Sequence, residues 1–142
     1  MKTVAQMLQL KPSGVISIRP DVPVLDALKV LADKDVGAVL VMDGSRLVGI
    51  VSERDYARKV ALKGKSSGDT PVSEIMTKDV VCVTPTQTNE ECMALMTEKR
   101  ARHLPVIDNG RVVGVLSIGD LVKDAISEQQ FVIEQLEHYI HR

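Results

Sequence analysis

Hydrophobic and polar positions along the chain trace the same pattern twice. Residues 15–57 overlay residues 80–122 at a constant offset of 65, without a gap. Ten positions are identical: Val15/Val80, Pro20/Pro85, Lys34/Lys99, Val41/Val106, Asp43/Asp108, Arg46/Arg111, Val48/Val113, Gly49/Gly114, Ser52/Ser117 and Asp55/Asp120. Seven of the ten lie between residues 41 and 55, so the match is concentrated where turn, glycine and helix signals also stay in phase.

Each repeat predicts β-α-β-β-α. A short β-rich run comes first, VISI at 15–18 and VVCV at 80–83, and a proline ends it. A helix follows. Val24, Ala27, Leu28 and Leu31 recur at helical spacing in the first repeat. In the second, Thr88 to Glu91 forms a capping box ahead of Cys92, Leu95 and Met96. Two strands joined by Asp-Gly or Asn-Gly turns come next, over 38–51 and 104–116. A second helix starts at Ser52 and at Ser117. One such unit of roughly 45–60 residues has a thin core, which is a physical reason to pair two.

Val4 to Leu8 and Val72 to Met76 read as matching lead-in helices, each expected to run into its own unit's first strand. Gly64, Ser66, Ser67, Gly68 and Pro71 mark a flexible linker. The organisation expected is a first unit over 1–63 with its lead-in helix, a linker over 64–71, a second unit over 72–126 and a helical tail over 127–142. In the final helix Val122, Ile126, Ile133, Leu136 and Ile140 form an apolar stripe. A second copy of the chain is the expected cover for that stripe, anchored by Phe131 and Tyr139.

Composition narrows the function. The chain has 142 residues, a net charge of −1 and three aromatics, Tyr56, Phe131 and Tyr139. Stacking platforms and basic excess are both missing, so a nucleic-acid partner is not expected. No run approaches the ~20 apolar residues of a membrane span, and MKTVAQMLQLKP lacks the apolar stretch of a signal peptide. A soluble, cytoplasmic protein is expected. Cys82 and Cys92 have no zinc or redox spacing and are expected to be buried small hydrophobes. His138 and His141 make only a weak metal pair in a solvated tail, and no metal site is expected.

The strongest chemical feature is Gly49-Ile-Val-Ser52-Glu-Arg-Asp55 and its copy Gly114-Val-Leu-Ser117-Ile-Gly-Asp120. Spacing alone supports two readings. Ser-x-x-Asp is a capping box, in which the hydroxyl accepts from a first-turn amide. It is also an anion site at a helix N-terminus, with a hydroxyl for phosphate and a carboxylate for a ribose diol.

These repeats, with the phrases IMTKDVVCVTP and RHLPVID and the paired GIVSERD and GVLSIGD, resemble a tandem pair of CBS domains, the module named after cystathionine β-synthase and also called a Bateman module. The resemblance covers residues 1–126. It implies an α/β (α+β) fold of two units packed sheet to sheet with pseudo-twofold symmetry, plus the C-terminal helix. It also implies clefts between the units for AMP, ADP, ATP, NAD or S-adenosylmethionine. By that resemblance, Ser52 and Ser117 reach phosphate while Asp55 and Asp120 hold ribose. Backbone at Val15, Ile16 and Ser17, and at Lys78, Asp79, Val80 and Val81, reads the adenine edge. Ala38 and Val39, or Leu104 and Pro105, sandwich the ring. Arg102 and His103 clamp phosphate in the second site, where the first has Gly37 and Ala38. Arg54 supplies a phosphate contact to the first. From the residues alone, His103 and Arg102 serve equally as surface and helix-end charges.

No Walker loop, G-x-G-x-x-G or local nucleophile–base pair occurs, so binding rather than catalysis is expected, with no catalytic cofactor. With no fused effector, output is expected on an unidentified partner protein. The alternative is an interaction or dimerisation module whose Ser-x-x-Asp boxes are only caps.

Overall fold

The computed structural model describes residues 2–12 and 14–140. The chain divides into two compact units. One runs from Gly14 to Val80 and holds the first repeat. The other joins the second repeat, from Val81 onward, to the N-terminal residues through Pro12.

In the first unit, β1 (Ser17–Ile18) runs parallel to β2 (Ala38–Asp43), which pairs antiparallel with β3 (Arg46–Ser52). Helix α2 (Val24–Lys34) buries Val24, Ala27 and Leu31, as its spacing predicts. They join Val39, Val41, Val51, Val60, Val72 and Ile75 in one aliphatic core. Helix α3 (Glu53–Tyr56) continues into a wider π-helical turn at Ala57–Ala61.

In the second unit, α5 (Asn89–Lys99) starts at the predicted Thr88 capping box. Strands β4 (His103–Asp108) and β5 (Arg111–Ser117) form the hairpin, and α6 (Ile118–Ile140) follows. Val4, Met7, Val83, Cys92, Met96, Leu104, Val106, Leu116 and Leu121 form its core. Asn109 and Gly110 both take positive φ in the hairpin turn, as an Asn-Gly type I′ turn requires.

The lead-in segments are exchanged relative to the expected boundaries. Helix α1 (Val4–Gln9) docks on the second repeat, and α4 (Val72–Ile75) docks on the first. The bonds are equivalent in the two units. Val4 N–H donates to Gln87 O at 2.7 Å, and Val72 N–H to Val22 O at 2.8 Å. Asn89 N–H, at the start of α5, donates to Lys2 O at 3.1 Å, and Val24 N–H, at the start of α2, to Thr70 O at 2.8 Å. The repeat glycines make room for this docking. A Cβ on Gly49 would lie 2.6 Å from Met76 Sδ, and one on Gly114 would lie 2.7 Å from Leu8 Cδ2.

Residues 64–71, expected as a flexible linker, are built into the first unit. The N-cap of α2 is Pro23, which offers no side-chain acceptor. The segment supplies backbone carbonyls instead: Thr70 O to Val24 and Ser67 O to Leu25. Buried Thr70 is itself fixed by a 2.7 Å hydroxyl bond to Ser66 O.

The expected first strands are shorter than their apolar runs. In the second repeat only Val83 remains, as a parallel bridge to Val106. Leu40 N–H donates to Ile16 O at 3.4 Å in the first unit. The equivalent of Leu40 is Pro105, which has no N–H to give to Val81. Cys92 is buried as expected, but Cys82 is exposed, because strand alternation turns it away from the core that holds Val83.

Candidate functional site

Both Ser-x-x-Asp turns form at the junction of a strand and a helix. Ser52 ends β3 and caps α3: its hydroxyl oxygen accepts from Asp55 N–H at 3.1 Å, while Asp55 Oδ2 accepts from Ser52 N–H at 3.0 Å. Ser117 and Asp120 repeat the box, with Asp120 N–H to Ser117 Oγ at 3.2 Å and Ser117 N–H to Asp120 Oδ2 at 2.8 Å. The capping reading of the motif is therefore met in both units.

Sheet register brings further predicted residues to each turn. Ala38 pairs across from Ser52, and His103 from Ser117. Glu53 N–H donates to Gly37 O at 3.1 Å, and Ile118 N–H to Arg102 O at 2.9 Å. Gly37, Ala38, Ser52 and Asp55 thus sit together, as do Arg102, His103, Ser117 and Asp120. Arg54 lies exposed in the first turn of α3. Val39 and Leu104 depart from the expected role: both side chains are buried in the cores of their units. A strand places neighbours on opposite faces, so Ala38 and His103 point away from the core that takes Val39 and Leu104. Val15, Ile16 and Ser17 lead into and form β1, where Ile16 O is already used by Leu40. Lys78, Asp79 and Val80 close the first unit, and Val81 opens the later segment of the second. His141 lies outside the described residues, and among those described no cluster of three or more metal-ligating side chains occurs.

The carboxylates have partners beyond the capping boxes. Asp55 Oδ1 accepts from Thr77 Oγ1 at 3.2 Å and is ion-paired with Lys59 Nζ at 3.0 Å. Asp120 Oδ2 is held by Lys11 Nζ at 2.7 Å, and the same ammonium reaches Val115 O. Burial pushes the Asp120 carboxyl up, but the Lys11 bond, the Ser117 amide and the Lys11 charge outweigh it and hold it below the ordinary value. One turn on, buried Asp124 accepts from Lys2 Nζ at 2.8 Å and from Asn89 Nδ2. Its carboxyl is lowered too: burial raises it, and the Lys2 and Asn89 bonds with the Lys2 charge prevail. Lys59 was legible as an i, i+4 partner of Asp55. Lys2, Lys11 and Thr77 arrive on the exchanged lead-in segments, and no local pattern marks them.

Both shifts carry the same sign in acid. A carboxyl that binds protons less readily when folded stabilises the fold above its ordinary value of 3.8, and that stabilisation is lost as pH falls through the lower folded value. We expect Asp120 to titrate below 3.8 in a carboxyl NMR titration and to move upward in Lys11→Met. An Asp120 at or above the ordinary value in the unaltered chain would refute the pairing.

The CBS-domain family profile matches residues 12–62 and 72–126. The mitochondrial CBS domain-containing protein CBSX3 of Arabidopsis thaliana is 39 % identical over 84 % of this chain. The chain spans 61 % of CBSX3 and 24 % of another Arabidopsis relative, CBSCBSPB2. Among solved structures, a protein with CBS domains from Burkholderia ambifaria MC40-6 is 53 % identical with a TM-score of 0.87, covering 90 % of this chain and 96 % of that one. CBSX2, solved in complex with AMP, is 26 % identical with a TM-score of 0.74, covering 91 % and 99 %.

Proposed function

The chain belongs to the CBS-domain family, and from that premise we propose that it is a regulatory module that binds an adenine nucleotide and acts on a separate partner protein. One observation carries the reading. A strand-to-helix turn presents a hydroxyl and a carboxylate together, with Arg102 and His103 beside it in the second unit. A hydroxyl and a guanidinium suit phosphate, and a carboxylate suits a ribose diol. The AMP held by the related CBSX2 fits the same class of ligand. Binding is favoured over turnover because the acids at the turn are engaged as caps and ion pairs.

Thermal melts with AMP, ATP, NAD and S-adenosylmethionine test the proposal. At least one should raise the melting temperature with concentration, by the equivalent of ~2.7 kcal/mol at a hundredfold excess over its Kd. Flat melts with all four would end the nucleotide reading.

A second activity, self-association, rests on α6. Beyond Asp124 the helix leaves Ile126, Ile133, Leu136 and Ile140 exposed. With Val122 these residues step by four, seven, three and four, the a/d seam of a heptad repeat with Gln129 at the remaining position. Ile126, Ile133 and Ile140 all take a, a choice that suits two-stranded pairing with Leu136 at d. Such a seam is self-complementary, so the partner is a second copy. Tyr139 flanks the seam as expected of an anchor. Phe131 does not, since it projects from the opposite side of the helix.

A further inference from the structure

We infer that the paired tails receive a further helix: the groove beside the α6 seam takes a basic amphipathic helix of the effector protein. This inference rests on the self-association described above and names the chemistry of the separate partner.

The apolar face of α6 is wider than a two-stranded seam needs. Ile126, Ile133 and Ile140 take a, and Val122, Gln129 and Leu136 take d, so position g holds Ile118, Ala125, Val132 and Tyr139. None of the four is charged, although g in a two-stranded coil is ordinarily a charged position that pairs with e of the other helix. Ile118, Val132 and Tyr139 are exposed, and Ala125 is half-buried. An apolar stripe over a, d and g belongs to a helix that meets more than one neighbour. The helix's own unit is such a neighbour only near its start, where Leu121 and Asp124 are buried. From Ser127 to Ile140 no residue is buried.

Charge decides what the further neighbour is. Residues 127–140 carry Glu128, Glu134 and Glu137 and no Lys or Arg. Glu134 and Glu137 have no ion-pair partner among the described residues. Glu137 lies in the last turn of α6, where the helix macrodipole favours a cation. Pairing two copies doubles the acid along this stretch, and each additional copy adds more like charge. A helix that brings Lys or Arg relieves it, so the g flank suits a basic chain better than a further copy.

Parallel pairing builds the groove from both copies. Position g of one helix lies beside e of the other. Val132 and Tyr139 of one copy therefore form an apolar wall, and Glu137 of the second copy, with Glu134 at b behind it, forms an acidic one. A helix with one apolar edge and one Lys or Arg edge meets both walls. The twofold repeats the groove, giving one docked helix per chain. The groove lies beyond residue 126, where the family match ends.

Fluorescence anisotropy of labelled peptides of roughly five helical turns, titrated with the full chain, tests the groove. One peptide has a leucine stripe flanked by Lys, a second has the same stripe flanked by Glu, and a third has the residues of the first in an order that breaks the stripe. The first should bind one per chain and weaken as salt rises. The second and third should bind at least tenfold more weakly. Glu134→Lys with Glu137→Lys should reverse the preference toward the Glu-flanked peptide, and Val132→Ser should weaken the Lys-flanked one at least fivefold. Asp33→Lys with Glu98→Lys makes the same change in net charge at exposed ends of α2 and α5 and should leave affinity within twofold. Equal binding of the striped and reordered peptides, or equal loss from the two charge-reversal pairs, would reduce the effect to attraction by an acidic surface and overturn the groove. Sedimentation alongside separates the two readings. No peptide binding by a chain that sediments as a pair would overturn the groove and leave self-association intact. A chain that sediments singly would overturn both, and one that sediments as four would give the g flank to further copies and overturn the basic helix.

Discussion

A chain beginning at residue 14 loses its second repeat first. The deletion removes no residue of either repeat proper, yet it takes two side chains out of the second core. Val4 is fully buried and Met7 nearly so. Each such burial contributes about 1.5–3 kcal/mol, and the void left behind adds to the loss. The polar losses fall on the same unit. Asp124, 7 % exposed, loses Lys2, Asp120 loses Lys11, and Asn89 N–H loses Lys2 O at the start of α5. Asn89 is already short of one bond, since its buried Oδ1 has no hydrogen-bond partner among the described residues. Against a total stability of about 5–15 kcal/mol for a domain, these losses suffice to unfold the unit that carries them. Hydrogen exchange read amide by amide should show protection at 104–107 and 115–117 collapsing before that of β2 and β3. Earlier loss in β2 and β3 would mean that α1 belongs to its own repeat, as chain order alone suggests.

That contrast marks where sequence stops being informative. Elements specified by neighbours were legible. Thr88 caps α5 because Glu91 is three residues on, and the Asn-Gly pair sets the second hairpin because both residues tolerate positive φ. Hydrophobic period placed Val24, Ala27 and Leu31 inside. Segments whose role depends on distant partners were not legible. The stretch from Gly64 to Pro71 has linker composition, but Thr70 and Ser67 are needed as acceptors because Pro23 cannot cap α2. Val4 and Val72 look alike in sequence, and nothing local states which sheet each will cover. The site divides the same way. Ser and Asp at the two turns follow from three-residue spacing, whereas the donors that distinguish them, Thr77 and Lys11, lie 22 and 109 residues away from the carboxylates they bind. Only Lys59 was readable, one helical turn beyond Asp55.

Replacing Ile126 and Ile133 together by Glu abolishes self-association and leaves each repeat folded. The two halves of this expectation come from one fact. Ile126 is 61 % exposed and Ile133 47 % exposed within the single chain, so neither substitution opens a core. A second α6 lying against them would cover their apolar area. In a parallel in-register pair the a-position isoleucines meet their own copies, Gln129 faces Gln129, and the flanking residues set Val132 near Glu137 and Ala125 near Gln130, with no like-charge pair across the seam. Four glutamates in that seam would bring like charges together in a desolvated strip. Dimer affinity should then fall by at least about a hundredfold, two tenfold steps of about 1.4 kcal/mol each. Sedimentation at tens of micromolar should give twice the 15.5 kDa chain mass for the unaltered protein and a single chain mass for the double variant. Far-ultraviolet dichroism should change only by partial loss of the tail helix, whose stability outside a pair rests on propensity alone. Phe131→Glu is the control. It removes an equally exposed aromatic from the other side of the helix, so the pair should survive it. A monomeric unaltered chain, or dissociation by Phe131→Glu to the same degree as the double variant, would remove the heptad seam as the cause of association and leave α6 as a surface for some other chain.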